Sequence, residues 1–335
     1  MPLVVSNYQR PAYLFHAHLE TIVPALTRRV PAMPYERERI TIFDNDFLDL
    51  DWYQTGSKSL LIISHGLEGN STRPYVLGLT RYFRNRQWDV LAWNHRGCSG
   101  EINHLPRFYH SGATEDLRAV VQHVLQTKPH YDQIVLAGFS LGGNMTLKYL
   151  GEEAQQVNPK IKKAFVYSVP LHLSSCSRSL CSPRNWVYAQ KFKKSLLEKV
   201  RIKARSMPNA ISTVHIPKVK TLKDFDDYYT APLHQFEDAE DYYAKSSSLH
   251  YLQHIAIPTL IINAQNDPFL APECFPYDLI TNLEQVYFET PATGGHCGFS
   301  PADAEGAYWS ERRAWNFVEN KDVITNITQT QKQTT

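Results

Sequence analysis

A serine hydroxyl attacks a carbonyl at neutral pH only if a base takes its proton and an acid holds that base in the right tautomer. One serine here has the setting for that work. From Gln133 to Asn144 an apolar run ends in Gly138-Phe139-Ser140-Leu141-Gly142 and passes into helix formers, Met145 to Leu150. Strand, sharp turn and helix in that order turn a common Gly-x-Ser-x-Gly pentapeptide into a nucleophile turn; without the context it is only a glycine-bounded bend. So tight a turn strains its central residue, and glycines two before and two after remove the Cβ atoms that would collide. The Ser140 hydroxyl is thereby lifted clear of the sheet.

The acid and base are sought on the loops that follow. Asp267 stands in Asn263-Ala264-Gln265-Asn266-Asp267-Pro268, just past an apolar strand, and His296 stands in Thr293-Gly294-Gly295-His296-Cys297-Gly298, just past the next. Residues at the carboxyl ends of parallel strands share one rim, so both face Ser140. The order Ser, Asp, His is the one a nucleophile turn of this kind requires. Asp278 and Asp303 are rival acids, but neither directly follows a strand. Of fourteen histidines, His296 alone lies between the last strand and the last helix, which leaves His250 and His254 as weaker candidates. A tetrahedral intermediate also needs backbone N–H donors, and loss of one typically raises the barrier by ~3 to 4 kcal/mol. Leu141, directly after the nucleophile, and Leu67, in the loop beginning His65-Gly66, are the expected donors. His65 is read as a shaper of that loop, Glu68 as solvated or structural.

The elements that must position these residues alternate. Arg39 to Phe43 and Leu48 to Tyr53 flank the turn signal Asp44-Asn45-Asp46 and predict an antiparallel hairpin. Ser59 to Ser64, Asp89 to Trp93, Lys163 to Val169, Pro258 to Ala264 and Leu283 to Phe288 read as further strands. Helices are expected over 72–84, from Thr114 as N-cap, and over 302–318. Strands alternating with helices predict an α/β fold with a mostly parallel sheet covered on both faces. Residues 35–170 and 251–320 form this core. Residues 1–34, interrupted by Pro11, Pro24, Pro31 and Pro34, read as an irregular arm. Residues 171–250 hold no convincing strand, a basic helical stretch from Gln190 to Arg205, and the aromatics Phe225, Tyr228, Tyr229, Phe236, Tyr242 and Tyr243. They read as a cap inserted over the strand ends, its aromatics facing an apolar acyl or aryl group. The polar tail, 321–335, is expected to be disordered.

Composition excludes several classes. Thirty-five basic against thirty-three acidic residues give +2, too balanced for a nucleic-acid binder. Five cysteines are an odd count without Cys-x-x-Cys spacing, which speaks against a disulfide framework and a zinc site and for a reducing, cytoplasmic setting. The first residues lack a secretion signal, and no window of about 18 apolar residues exists to span a membrane. His16-x-His18 has no companion ligands and is read as no metal site. Cys297 is read as a small apolar packer. Lys191, Lys193, Lys194, Lys199, Arg201, Lys203 and Arg205 read as a solvated helix face, with peripheral contact to anionic lipid as the alternative.

Several of these stretches together resemble the YheT-like esterase group of the α/β-hydrolase superfamily, whose eukaryotic relatives include monoacylglycerol and phospholipid lipases. The resemblance spans nearly the whole chain: His18-Leu19-Glu20-Thr21-Ile22, His65-Gly66-Leu67-Glu68-Gly69, Asn94-His95-Arg96-Gly97-Cys98-Ser99-Gly100, Gly138 to Asn144, Tyr242 to Ser248, Asn263 to Pro268 and Gly294 to Phe299. It implies Ser140, Asp267 and His296 as charge-relay residues. Those eukaryotic lipases begin with a membrane-spanning segment that these residues lack. The His-x-x-x-x-Asp acyltransfer motif of some members is also missing, since His110 stands five residues before Glu115 and six before Asp116. The expected activity is hydrolysis of small or acyl-lipid esters without cofactor or metal. Acyl transfer by the same triad and a non-catalytic scaffold on a hydrolase body are the rivals.

Overall fold

In a strand, neighbouring side chains leave on opposite faces, so a run that is apolar throughout needs cover on both. In the computed structural model, which describes residues 2–320, the strands are β1 (Leu3–Val4), β2 (Glu36–Thr41), β3 (Phe47–Tyr53), β4 (Ser59–Ser64), β5 (Asp89–Asn94), β6 (Gln133–Phe139), β7 (Ile161–Tyr167), β8 (Thr259–Ile262) and β9 (Val286–Glu289). The helices that bear on the argument are α1 (Ala17–Thr27), α2 (Pro74–Arg84), α3 (Thr114–Thr127), α4 (Leu141–Glu153), α5 (Leu173–Leu180), α6 (Trp186–Ser206), α7 (Leu222–Phe225), α8 (Ala231–Leu233), α9 (Ala239–Ser246), α10 (Tyr277–Thr281) and α11 (Trp309–Val318). One sheet orders the strands β1-β9-β8-β7-β6-β4-β5-β3-β2. β3 runs antiparallel to β2 and β5, and the other neighbours are parallel. Leu60 and Ile62 of β4 pack with Leu117 and Val121 of α3 and Met145 of α4, whereas Leu61 and Ile63 pack on the other face with Val76, Leu79 and Phe83 of α2 and Phe317 of α11. This is the expected α/β architecture.

Several local expectations change. Residues 1–34 are not irregular: Leu3 and Val4 pair with Phe288 and Glu289 at the sheet edge, and α1 forms despite Pro24, which forfeits the N–H that would bond the Glu20 carbonyl. Thr114 is the first helical residue rather than the cap, and its hydroxyl donates to Glu152. The last helix starts at Trp309, because the Asp303 carboxylate accepts from the N–H groups of Glu305 and Ala307 and ties those residues into a turn. The tail 321–335 lies outside the described residues.

Between β7 and β8 the chain is helical and has an interior of its own. Leu197, Val200, Phe225 and Tyr229 pack with Phe108, while Tyr242 and Tyr243 pack with Leu173 and Ala239. Those aromatics form the interior of the segment. Nor is the basic run all solvated. Lys199 is largely buried, and Lys203 is fully so, donating to the carbonyls of Leu105 (2.5 Å), Pro106 (3.1 Å) and Arg107 (2.7 Å). Burial lowers the Lys203 pKa to about 7. Lys203→Met keeps the packing but leaves the Pro106 carbonyl without its side-chain donor and the Leu105 and Arg107 carbonyls with Asn103 alone, so stability should fall by about 1–3 kcal/mol. A lower urea midpoint at unchanged slope is the expected reading; an unchanged midpoint would count against it.

Candidate active site

Parallel strands deliver their following loops to one rim, and four such loops meet here. Between β6 and α4, Ser140 has φ 52° and ψ −117°, a conformation that costs a non-glycine residue roughly 1–3 kcal/mol. The neighbours force it. A Cβ on Gly138 would stand 2.5 Å from the Gly142 carbonyl oxygen, and one on Gly142 would stand 2.4 Å from the Ser64 carbonyl oxygen. Ser140 N–H donates to the Tyr167 carbonyl at 2.8 Å, which pins the turn to β7.

Asp267 follows β8 in a loop locked by Asn263, whose side chain accepts from Val169 N–H at 2.7 Å and donates back to the Val169 carbonyl at 3.1 Å. The Asp267 side chain is fully buried. One oxygen accepts from Phe269 N–H at 2.9 Å, and the other lies 2.8 Å from Nδ1 of His296. His296 Nε2 in turn lies 3.0 Å from Ser140 Oγ. With Nδ1–H donated to the carboxylate, Nε2 is left to accept from the serine hydroxyl. Burial opposes the imidazolium, but the adjacent Asp267 carboxylate outweighs it and holds the His296 pKa above the ordinary imidazole value. The Phe269 ring covers the imidazole, centroid to centroid 4.1 Å.

Sequence reasoning missed what fixes the histidine loop. His296 N–H donates to Thr21 Oγ at 2.9 Å and Gly295 N–H to Asn266 Oδ1 at 3.1 Å, while Asn266 donates to Glu20 at 2.5 Å. Ser168 Oγ accepts from Cys297 N–H at 2.8 Å. Helix α1 is therefore part of the site's frame. The one signal was the stretch His18 to Ile22, whose role no periodicity reveals.

The loop after β4 abuts the serine turn: a Cβ on Gly66 would sit 3.3 Å from that of Ser140. His65 shapes it, with Nδ1–H donating to the Gly66 carbonyl at 2.8 Å and Nε2 accepting from His95 N–H at 3.2 Å. Burial beside His95 pushes the His65 pKa well down, so the ring is neutral and no rival base. Among the described residues, the N–H groups of Leu67 and Leu141 have no hydrogen-bond acceptor. Glu68 is not solvated. In a left-handed conformation (φ 53°), it accepts from Tyr109 at 2.7 Å, Lys199 at 2.7 Å and Ser195, tying this loop to α6.

The alternatives are placed elsewhere. Asp303 is paired with Arg312 at 3.1 Å, Asp278 sits on α10, and His250 and His254 lie in a 3₁₀ turn that packs on α4. Glu115 and Asp116 are engaged by Arg107 and Arg96. No group of residues with metal-ligand spacing occurs among the described residues, and none of the described helices is long and apolar enough to cross a membrane.

Comparison with known proteins gives the family. The family model Hydrolase_4, described as serine aminopeptidase S33, matches residues 55–275. The protein named "Putative esterase YheT" of Escherichia coli (strain K12) is 35% identical over 297 residues, which cover 85% of this chain and 84% of that one. Phospholipase ABHD3 of Bos taurus is 27% identical over 310 residues, 89% of this chain and 74% of the relative. In fold, the chain is similar to the esterase Pf2001 of Pyrococcus furiosus, with a TM-score of 0.59, 17% identity and coverage of 88% and 96%. With its rim loops, its strained serine turn and these relatives, the chain belongs to the Hydrolase_4 family of the α/β-hydrolase superfamily and, within it, to the YheT-like esterase and lipase group of serine hydrolases.

Proposed function

We propose that this chain is a carboxylic-ester hydrolase that works through Ser140, His296 and Asp267 and an acyl-enzyme, on small or acyl-lipid esters. The observation that carries the reading is the unbroken contact from Ser140 Oγ to His296 Nε2 (3.0 Å) and from His296 Nδ1 to Asp267 (2.8 Å). Ser140 attacks the ester carbonyl as His296 takes its proton, and the imidazolium formed is stabilised by Asp267. The tetrahedral oxyanion is held by the N–H groups of Leu67 and Leu141. Collapse expels the alcohol, which receives the proton from His296. Water then attacks the acyl-enzyme by the same steps, releasing the acid and restoring the serine. The names of YheT and ABHD3 support ester substrates, lipid esters among them. Residues 35–170 and 251–320 serve as the catalytic core, 171–250 as a cap and 1–34 as an arm that braces the base. The five cysteines remain thiols in a cytoplasmic setting.

Labelling by a fluorophosphonate probe tests the reading. Wild type should label, and Ser140→Ala should not; a folded wild-type protein that takes no label would favour the scaffold alternative. A second test addresses the oxyanion loop. Because Glu68 holds its strained backbone through Tyr109, Ser195 and Lys199, Glu68→Ala should let Leu67 N–H wander and lower kcat by about tenfold or more, with KM little changed. Unchanged kcat would sever Glu68 from the oxyanion loop.

A further inference from the structure

Large apolar side chains left in water are usually scattered singly over a surface. Here four stand on two segments that the fold joins. Tyr13 (67% exposed), Phe15 (68%), Trp186 (62%) and Val187 (62%) come from two segments more than 150 residues apart in the chain. The segments are brought together by His18 and Tyr188, whose Nδ1 and hydroxyl oxygen are 3.0 Å apart and whose rings stack at 5.6 Å. Phe15 immediately precedes His16, and Trp186 lies two residues past Arg184; His16, His18 and Arg184 line one cavity of about 840 Å³ that reaches Asp267 and whose wall includes the partly exposed Tyr277. From Tyr188 the contacts run inward, at 4.7 Å to Phe269 and from there at 4.1 Å to His296. The exposed rim is therefore two rings from the candidate base.

Charge around the rim has one dominant sign. Val187, Lys191 and Lys194 fall at i, i+4 and i+7 on one face of α6, and Arg184, Lys191 and Lys194 are exposed. The nearby acids are engaged: Glu273 lies 3.9 Å from Arg178, and Glu198, a turn further along α6, accepts from Arg201. Apolar and aromatic tips with cations one or two turns behind suit the boundary between acyl chains and anionic headgroups. They do not suit a second copy of the chain, because a two-fold contact through this face would set Arg184, Lys191 and Lys194 near their own counterparts.

We propose that the rim of Tyr13, Phe15, Trp186 and Val187 docks this protein on a lipid surface carrying anionic headgroups, with the cavity mouth turned toward the lipid. The docking goes beyond the hydrolase reading and does not depend on Ser140 acting as a nucleophile.

Co-sedimentation of the full chain with vesicles tests it. Wild type and Ser140→Ala should both pellet with vesicles of phosphatidylcholine mixed with phosphatidylglycerol, less with phosphatidylcholine alone, and less as salt is raised. The double variant Phe15→Ala/Trp186→Ala should bind about tenfold more weakly, with hydrolysis of a water-soluble short-chain ester unchanged. Lys191→Glu/Lys194→Glu should lose the preference for phosphatidylglycerol. Wild type left in the supernatant with both vesicles, or the aromatic double variant binding like wild type, overturns the proposal. So would a dimer dissolved by Phe15→Ala/Trp186→Ala without vesicle binding, which would give the face to a second copy. Failure of ester hydrolysis with vesicle binding intact would instead remove the hydrolase reading and leave the docking standing.

Discussion

Ser140→Ala is expected to lower kcat toward an ester by about 10⁶-fold while leaving KM and the thermal midpoint near their wild-type values. The size follows from a nucleophile, base and acid that act as a unit: once Oγ is gone, His296 has no proton to accept and no acyl-enzyme forms. Only the N–H groups of Leu67 and Leu141 and substrate positioning then remain, which by themselves give on the order of 10³–10⁴ over water. The fold should survive because alanine keeps the serine Cβ, and the turn is held by backbone contacts, Ser140 N–H to Tyr167 and Asn144 N–H to the Ser140 carbonyl. Steady-state kinetics with a chromogenic ester, paired with a melting curve, read both quantities. A residual kcat within tenfold of wild type would point to another nucleophile.

Asp267→Asn should cost about 10⁴ in kcat, for a reason visible in its partners. One carboxylate oxygen accepts from Phe269 N–H, and asparagine can keep that bond only by pointing its oxygen there. Its NH₂ group then faces His296 Nδ1, which must give up its proton to accept. The proton moves to Nε2, where it faces Ser140 and blocks general-base action. The pH profile should move too. If catalysis needs the neutral imidazole, kcat/KM should rise with pH through the pKa of His296, and in wild type that limb should lie above the ordinary histidine value because Asp267 raises it. With the carboxylate neutralised, the largest influence opposing burial is gone and the limb should shift to lower pH. A variant whose limb stays in place would mean that Asp267 does not set the charge of His296.

The parts that could be read ahead of the coordinates are those whose cause is local. Continuous apolar runs such as Leu60 to Ile63 announce strands covered on both faces, and β4 begins and ends where its composition says. The glycines around Ser140 announce a close approach of backbone to backbone. The order of strand ends then lets residues 127 and 29 positions apart, Ser140 to Asp267 to His296, be named together, and in the structure their polar atoms lie within hydrogen-bond distance. What stayed hidden depends on distant partners. β1 is two residues long and exists because β9 offers it an edge, and Thr21 matters because it meets His296 across 275 positions of chain. Charge runs mislead in the same way. Sequence shows the sign of Lys199 and Lys203 but not that one meets Glu68 and the other three carbonyls inside the fold. The aromatics from Phe225 to Tyr243 show hydrophobicity without showing that they are spent on the interior of their own helical segment.

The most direct measurement mixes wild-type protein with an excess of a p-nitrophenyl ester, quenches the reaction in acid within the first turnovers and maps the acyl group by peptide mass. The expected result is a single acyl adduct on the peptide carrying Ser140, absent in His296→Ala. An adduct on Cys297 or any other residue, or sustained turnover with no trapped acyl group under conditions that show a burst of nitrophenol, would contradict it.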